Sequence, residues 1–79
     1  MPTVTVRLFA QLREHLGADS VRVEVSAGTT LDALRRELLA DSPLLDLPVA
    51  YARNHSYATG SERIEDGDEL AFLPPVGGG

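Results

Sequence analysis

The chain has no cysteine and no lysine. Without cysteine there is no disulfide, no thiolate metal site and no thiol nucleophile. Small secreted domains usually depend on such staples, so a 79-residue chain that lacks them is expected in the cytoplasm. All seven side-chain cations are arginine, which leaves no side-chain amine for a Schiff base or for accepting an isopeptide bond. No apolar run approaches the roughly 20 residues that a membrane span needs, and Met1-Pro2-Thr3-Val4 does not read as a signal peptide. Linkers, repeats and low-complexity stretches are missing until the last residues.

What is present suffices for one domain. Hydrophobic residues make up 43% of the chain and charged residues 24%. A chain of this length buries about 60% of its unfolded surface, enough for a single core. Twelve acidic residues give a net charge of −5. That balance repels phosphate backbones and argues against general nucleic-acid binding, and it suits a partner with a basic surface.

Val4, Val6 and Leu8 alternate with Thr3, Thr5 and Arg7, the period-2 pattern of a half-buried strand. Leu12 and Leu16 share one face of a two-turn helix over 10–16, which Gly17 closes as a left-handed cap. A second strand is predicted over 21–25, antiparallel to the first. Leu31, Leu34 and Leu38 mark the main helix, about 30–40, with Thr29 and Asp32 as a shortened capping box and Arg35, Arg36 and Glu37 facing solvent. Pro43 and Pro48 bracket a loop whose Leu44, Leu45 and Leu47 tuck under the core. A third strand is predicted over 49–53, a turn at Thr59-Gly60, an apolar anchor at Ile64, a turn over Glu65-Asp66-Gly67-Asp68 and a last strand over 69–73. Interleaved strands and one dominant helix predict an α+β domain over 1–73, a small mixed sheet with the helix across one face. Within the last strand Leu70 and Phe72 point one way and Ala71 and Leu73 the other. Phe72 is placed in the core and Leu73 at a docking surface with Val76. Phe9 fits either the core or that surface.

Residues 74–79 read Pro-Pro-Val-Gly-Gly-Gly. Two prolines end the strand and favour a stiff, extended exit. Fully extended, six residues span roughly 20 Å. A Gly-rich end is often a frayed end, but a fray needs no rigid base. The alternative is that the carboxylate of Gly79 is the reactive group. A carboxylate is a poor acyl donor and must first be activated, most simply as an acyl-adenylate. The chain has no phosphate-binding loop, so a partner enzyme would do this. Glycines lack Cβ atoms and can thread a channel too narrow for other residues.

Three motifs carry a resemblance. Leu8-Phe9-Ala10-Gln11-Leu12-Arg13-Glu14, Glu65-Asp66-Gly67-Asp68-Glu69-Leu70-Ala71-Phe72, and Phe72-Leu73-Pro74-Pro75-Val76 before the glycines are similar to those of the ubiquitin-like sulfur carriers, the MoaD/ThiS family, and within it the molybdopterin synthase branch. The resemblance implies a β-grasp (ubiquitin-like) fold. It implies a chain that is not catalytic alone and binds no cofactor of its own. It implies that an E1-like adenylyltransferase uses ATP to adenylate Gly79, and that a sulfurtransferase supplies the sulfur that makes the terminus a thiocarboxylate, a 1-thioglycine. By the same resemblance the tail, with Gly77 and Gly78 threading and Phe9, Leu73, Pro74, Pro75 and Val76 docking, is expected to enter the large subunit of molybdopterin synthase and give its sulfur there to cyclic pyranopterin monophosphate in molybdenum cofactor biosynthesis. Family members usually end in two glycines, matching Gly78 and Gly79. Triple-glycine endings also occur among thiamin-pathway carriers, so carriers for thiamin, cysteine or tRNA thiolation, and a ubiquitin-like protein modifier, stay open.

Other residues carry less chemistry. His15 and His55 read as solvated, and without cysteine they make no typical zinc site. Ser56 beside His55 has no orienting third group. Asp66, Asp68 and Glu69 lack a full calcium-loop pattern, and turn formation explains them. Arg35-Arg36 reads as a solvated helix face, and Arg13 with Glu14 as surface pairing.

Overall fold

The computed structural model describes residues 1–74. Its elements follow from the patterns above. In β1 (Thr3–Leu8) the alternation is realised: Val4, Val6 and Leu8 are buried, and Thr3, Thr5 and Arg7 face the other way. The chain then turns into α1 (Ala10–Leu16), which buries Leu12 and ends at Gly17, φ 72°, whose N–H donates to the Arg13 carbonyl at 2.8 Å. Only glycine takes that left-handed cap without steric cost. Strand β2 (Ser20–Glu24) returns antiparallel to β1, with Val6 opposite Val21 and Val4 opposite Val23.

Helix α2 (Leu31–Leu38) buries Leu31 and Leu34. Its cap is Thr30, one residue later than the expected Thr29: the Thr30 hydroxyl accepts from the Ala33 N–H at 3.2 Å. Thr29 instead donates its hydroxyl to the Ser26 carbonyl at 2.7 Å and closes the preceding turn. Leu39, which closes the helix, is buried, while Leu38, expected on the core stripe, is only half-buried. The following loop is packed, as its leucines require: Pro43–Asp46 forms a 3₁₀ helix capped by Ser42, and Leu44 and Leu45 rest against the core.

Strands β3 (Ala50–Arg53) and β4 (Ser56–Ala58) form a hairpin that the sequence pattern did not reveal. Its turn is Asn54-His55, at φ 52° and 72°. Two positive φ angles are the geometry of a type I′ turn, whose twist suits a two-residue hairpin. The last strand, β5 (Glu69–Leu73), lies between β1, to which it is parallel, and β3, to which it is antiparallel. The sheet order is β2-β1-β5-β3-β4. Phe72 sits at the core centre, edge-on to Tyr51 with ring centroids 5.5 Å apart. A mixed five-stranded sheet gripping α2 is the β-grasp. No helix among the described residues is long and apolar enough to cross a membrane.

Candidate functional site

One face of the sheet holds the core and the other is open. The alternation of β5 decides which side chains reach the open face. Leu70 and Phe72 are sealed inward, so Glu69, Ala71 and Leu73 face outward. The ladder adds neighbours: Ala52 stands opposite Ala71, Ala50 opposite Leu73, Arg7 beside Ala71, and Tyr57 opposite Ala52. Leu8 pairs with Phe72, so Phe9, next in the chain, lies level with Leu73. Phe9 is the N-cap of α1 and remains extended there; its carbonyl takes the Leu12 N–H at 3.1 Å. The next residue, Ala10, has φ 49°. This sharp exit leaves the Phe9 ring 38% exposed, an exposed large hydrophobic beside the root of the tail.

The result is a trough. Small alanines, Ala71 and Ala52, form its floor between Phe9 and Tyr57, the latter 85% exposed. A shallow cavity of about 220 Å³ lies in it, bordered by Arg7, Phe9, His55 and Glu69. His55 Nε2 is 2.9 Å from Glu69 Oε2. The face is apolar near Leu73 and balanced in charge. On its strands Arg7 and Arg22 match Glu24 and Glu69, so the net −5 of the chain belongs to the rest of the molecule.

Two polar networks hold the strands that frame this face. Asp68 is buried and fully occupied: Oδ2 accepts from the Glu65 N–H and Arg53 Nε, both at 2.8 Å, and Oδ1 from Asn54 Nδ2 at 3.0 Å. Burial alone would raise its pKa. The hydrogen bonds from Glu65, Asn54 and Arg53, with the Arg53 charge, outweigh it and hold the carboxyl below its ordinary value. Asp66 Oδ1 accepts the Thr3 N–H at 2.7 Å. These acids are thus committed to the turn, in line with their sequence reading. The second network overturns the expectation of a solvated Arg35. Arg35 Nε donates to the Tyr51 hydroxyl at 2.8 Å and Nη1 to the Leu45 carbonyl, and Tyr51 donates to Asp32 at 2.5 Å. Burial and the hydrogen bond to Asp32 push the Tyr51 pKa up, against the Arg35 charge. Arg36 is exposed as expected. Arg13 pairs with Asp19, at 3.7 Å, rather than with Glu14.

Of the residues singled out from sequence, the structure brings Phe9 and Leu73 together on the open face, with half-buried Pro74 directly after. Pro75, Val76, Gly77, Gly78 and Gly79 lie outside the described residues. Sequence reasoning did not find Tyr57, Ala50 and Ala52. The Asn54-His55 pair, a turn of the right length between two short β-prone runs, was the signal available for them.

Comparison with known proteins finds relatives that match nearly the full length of the chain. The model of the ThiS family matches residues 6–79. The molybdopterin synthase sulfur carrier subunit of Escherichia coli is 37% identical, over 96% of this chain and 99% of that protein. The crystal structure of small archaeal modifier protein 1 from Haloferax volcanii superposes with a TM-score of 0.82 at 30% identity, covering 96% of this chain and 100% of that one. A chain from the complex of subunits 1 and 2 of the molybdopterin-converting factor of Helicobacter pylori superposes with a TM-score of 0.62 at 26% identity, covering 98% and 99%.

Proposed function

The chain belongs to the ThiS family, and on that premise we propose that it is a sulfur carrier of molybdopterin synthase that works through the carboxylate of Gly79. The observation that carries the reading is the 37% identity to a molybdopterin synthase sulfur carrier subunit over 96% of this chain, with a family match that runs through the three glycines. The fold supports it. β5 is held on both sides, so its exit at Leu73 is fixed, and it leaves beside an open apolar face.

The chemistry belongs to the terminus and to the partners. An E1-like enzyme joins the Gly79 carboxylate to the α-phosphate of ATP and releases pyrophosphate. A persulfide on the sulfurtransferase then attacks the acyl carbon, AMP leaves with the electron pair of the carbon–oxygen bond, and a thiol cleaves the remaining S–S bond, becoming oxidised to a disulfide and leaving the thiocarboxylate. Its sulfur is a good nucleophile and, unlike free sulfide, does not diffuse away. The large synthase subunit receives the tail, and the sulfur passes to cyclic pyranopterin monophosphate. This chain's own residues bind and orient: Phe9, Leu73 and Pro74, with Pro75 and Val76, dock, and Gly77 and Gly78 present no Cβ to the channel.

Intact mass tests the reading. Protein from its native host should include a species in which one oxygen has been replaced by sulfur at the terminus. Removing Gly79 should abolish sulfur transfer while leaving the thermal unfolding curve in place, and Gly78→Val should block threading. Full transfer by the chain lacking Gly79 would end the proposal. A second reading, a modifier joined through Gly79 to lysines of other proteins, is favoured by the likeness to small archaeal modifier protein 1. It predicts protein adducts of this chain instead of the sulfur-bearing species.

A further inference from the structure

The arginines are of two kinds. Two are held where a planar fork is needed. Arg53 meets three carboxylates with three nitrogens: Nε to Asp68 at 2.8 Å, Nη2 to Glu65 at 3.0 Å and Nη1 to Glu62 at 3.5 Å. Arg35 bridges the Tyr51 hydroxyl and the Leu45 carbonyl. The single nitrogen of a lysine could not span either set. Arg7 has no such reason to be arginine. It is exposed on the open face beside Ala71, and among the described residues it makes no ion pair. A lysine there would keep the charge and lose no hydrogen bond or ion pair among the described residues. What it would add is a nucleophile. An exposed amine of pKa about 10.4 always has a small free-base fraction at neutral pH, whereas a guanidinium stays protonated.

We propose that Arg7, one of the two cations that balance Glu24 and Glu69 on the outer face, carries its charge in a form that cannot attack the activated end of its own chain. The inference rests on the reading of Gly79 as an activated acyl group. Its geometric basis is reach. Arg7 is level with Ala71, two residues before Leu73, or about 7 Å back along the strand. Residues 74–79 can span roughly 20 Å when extended. An amine at position 7 is therefore within the span of the tail, at an effective concentration of about millimolar. The amine nitrogen would bond to the acyl carbon and the carbon–oxygen bond to AMP would break. AMP would leave with the electron pair and the amine proton would pass to water. The product is a lactam, a carrier closed on itself and lost to sulfur transfer. The whole chain follows the same rule. With no lysine anywhere, it donates an acyl group but offers no side-chain amine to receive one, so copies cannot be linked through isopeptide bonds.

The test uses the full chain with Gly79 as the thioester of a small thiol, released from an intein fusion, so that no activating enzyme is required. Wild type, Arg7→Lys and Arg36→Lys are followed by intact mass; Arg36 is exposed on α2, away from the open face. Arg7→Lys should form a lactam, one water lighter than the free acid, at a rate independent of protein concentration and about tenfold faster than Arg36→Lys. Wild type should only hydrolyse, yet be captured by added glycinamide. Hydrolysis of Arg7→Lys at the wild-type rate with no lactam would overturn the proposal, as would failure of glycinamide to capture wild type. Exchange of pyrophosphate into ATP by an activating enzyme, measured separately with wild type, tests adenylation itself. Its failure alongside lactam formation in Arg7→Lys would count against the reading of function and not against the reach of the tail.

Discussion

The two faces of one sheet obey different rules. On the inner face Val6, Leu70 and Phe72 are large, sealed and matched to α2. On the outer face Ala52 and Ala71 are small, and the large side chains, Phe9 and Tyr57, stand at the margins with much of their surface in water. Strand alternation lets one strand serve both. Phe72 and Leu73 are consecutive, yet one anchors the fold and the other borders the tail. Stability is thus written on one set of alternate positions of β5 and the proposed docking on the other, and each can change with little effect on the other.

The strongest way to break that division is to truncate both neighbours. Phe72→Ala removes a ring that is 1% exposed and in contact with Tyr51. It should cost about 3–5 kcal/mol, enough to unfold much of a domain this small. Leu73→Ala removes a half-buried side chain and should cost about 1 kcal/mol, while weakening capture by a partner. Denaturant titrations of the two variants measure the gap. Equal losses would mean that the outer face also holds the fold.

A smaller effect separates the rim of the sheet from its centre. Asp68 has its pKa lowered on folding by three hydrogen bonds and the Arg53 charge, despite burial. A lowered folded-state pKa means stability that is fully present above the unfolded carboxyl value of about 4 and is lost as pH falls through the folded value. Thermal midpoints should therefore decline below about pH 4, and Asp68→Asn should flatten that decline and lower stability at neutral pH by about 1–3 kcal/mol. A decline of unchanged steepness in the variant would assign acid sensitivity to other carboxylates.

The inner face was legible in the sequence and much of the outer was not, for one physical reason. Burial selects apolar residues at a fixed period, so Val4, Val6, Leu8, Leu31, Leu34, Leu70 and Phe72 declare themselves. An open face imposes no such period. Ala50, Ala52 and Tyr57 are ordinary residues until the ladder aligns them, and β4 is only three residues long. Arg35 departs from its expected solvated position because helical spacing shows which face a residue occupies but not that the 3₁₀ segment and β3 return to meet it. Thr30 displaced Thr29 as the cap because two adjacent threonines offer the same side chain, and only the Ser26 carbonyl decides between them. The tail motif, by contrast, is local, and its reading rests on residue order alone.

The smallest expected effect concerns salt, and it sharpens the comparison further. The net charge of −5 resides off the outer face, whose strand charges cancel. Charge away from a contact acts on the approach of a partner and hardly on the finished complex. Association with a basic partner should then slow by about threefold between low and physiological salt as the Debye length shortens, while dissociation changes by less than about twofold because the bound surface is apolar and neutral. Stopped-flow mixing at two ionic strengths separates the rates. If dissociation accelerates as much as association slows, ion pairs hold the complex, and Phe9 and Leu73 are bystanders to it. If dissociation is insensitive to salt but accelerates in Phe9→Ala, the apolar margin of the trough is where the partner is held.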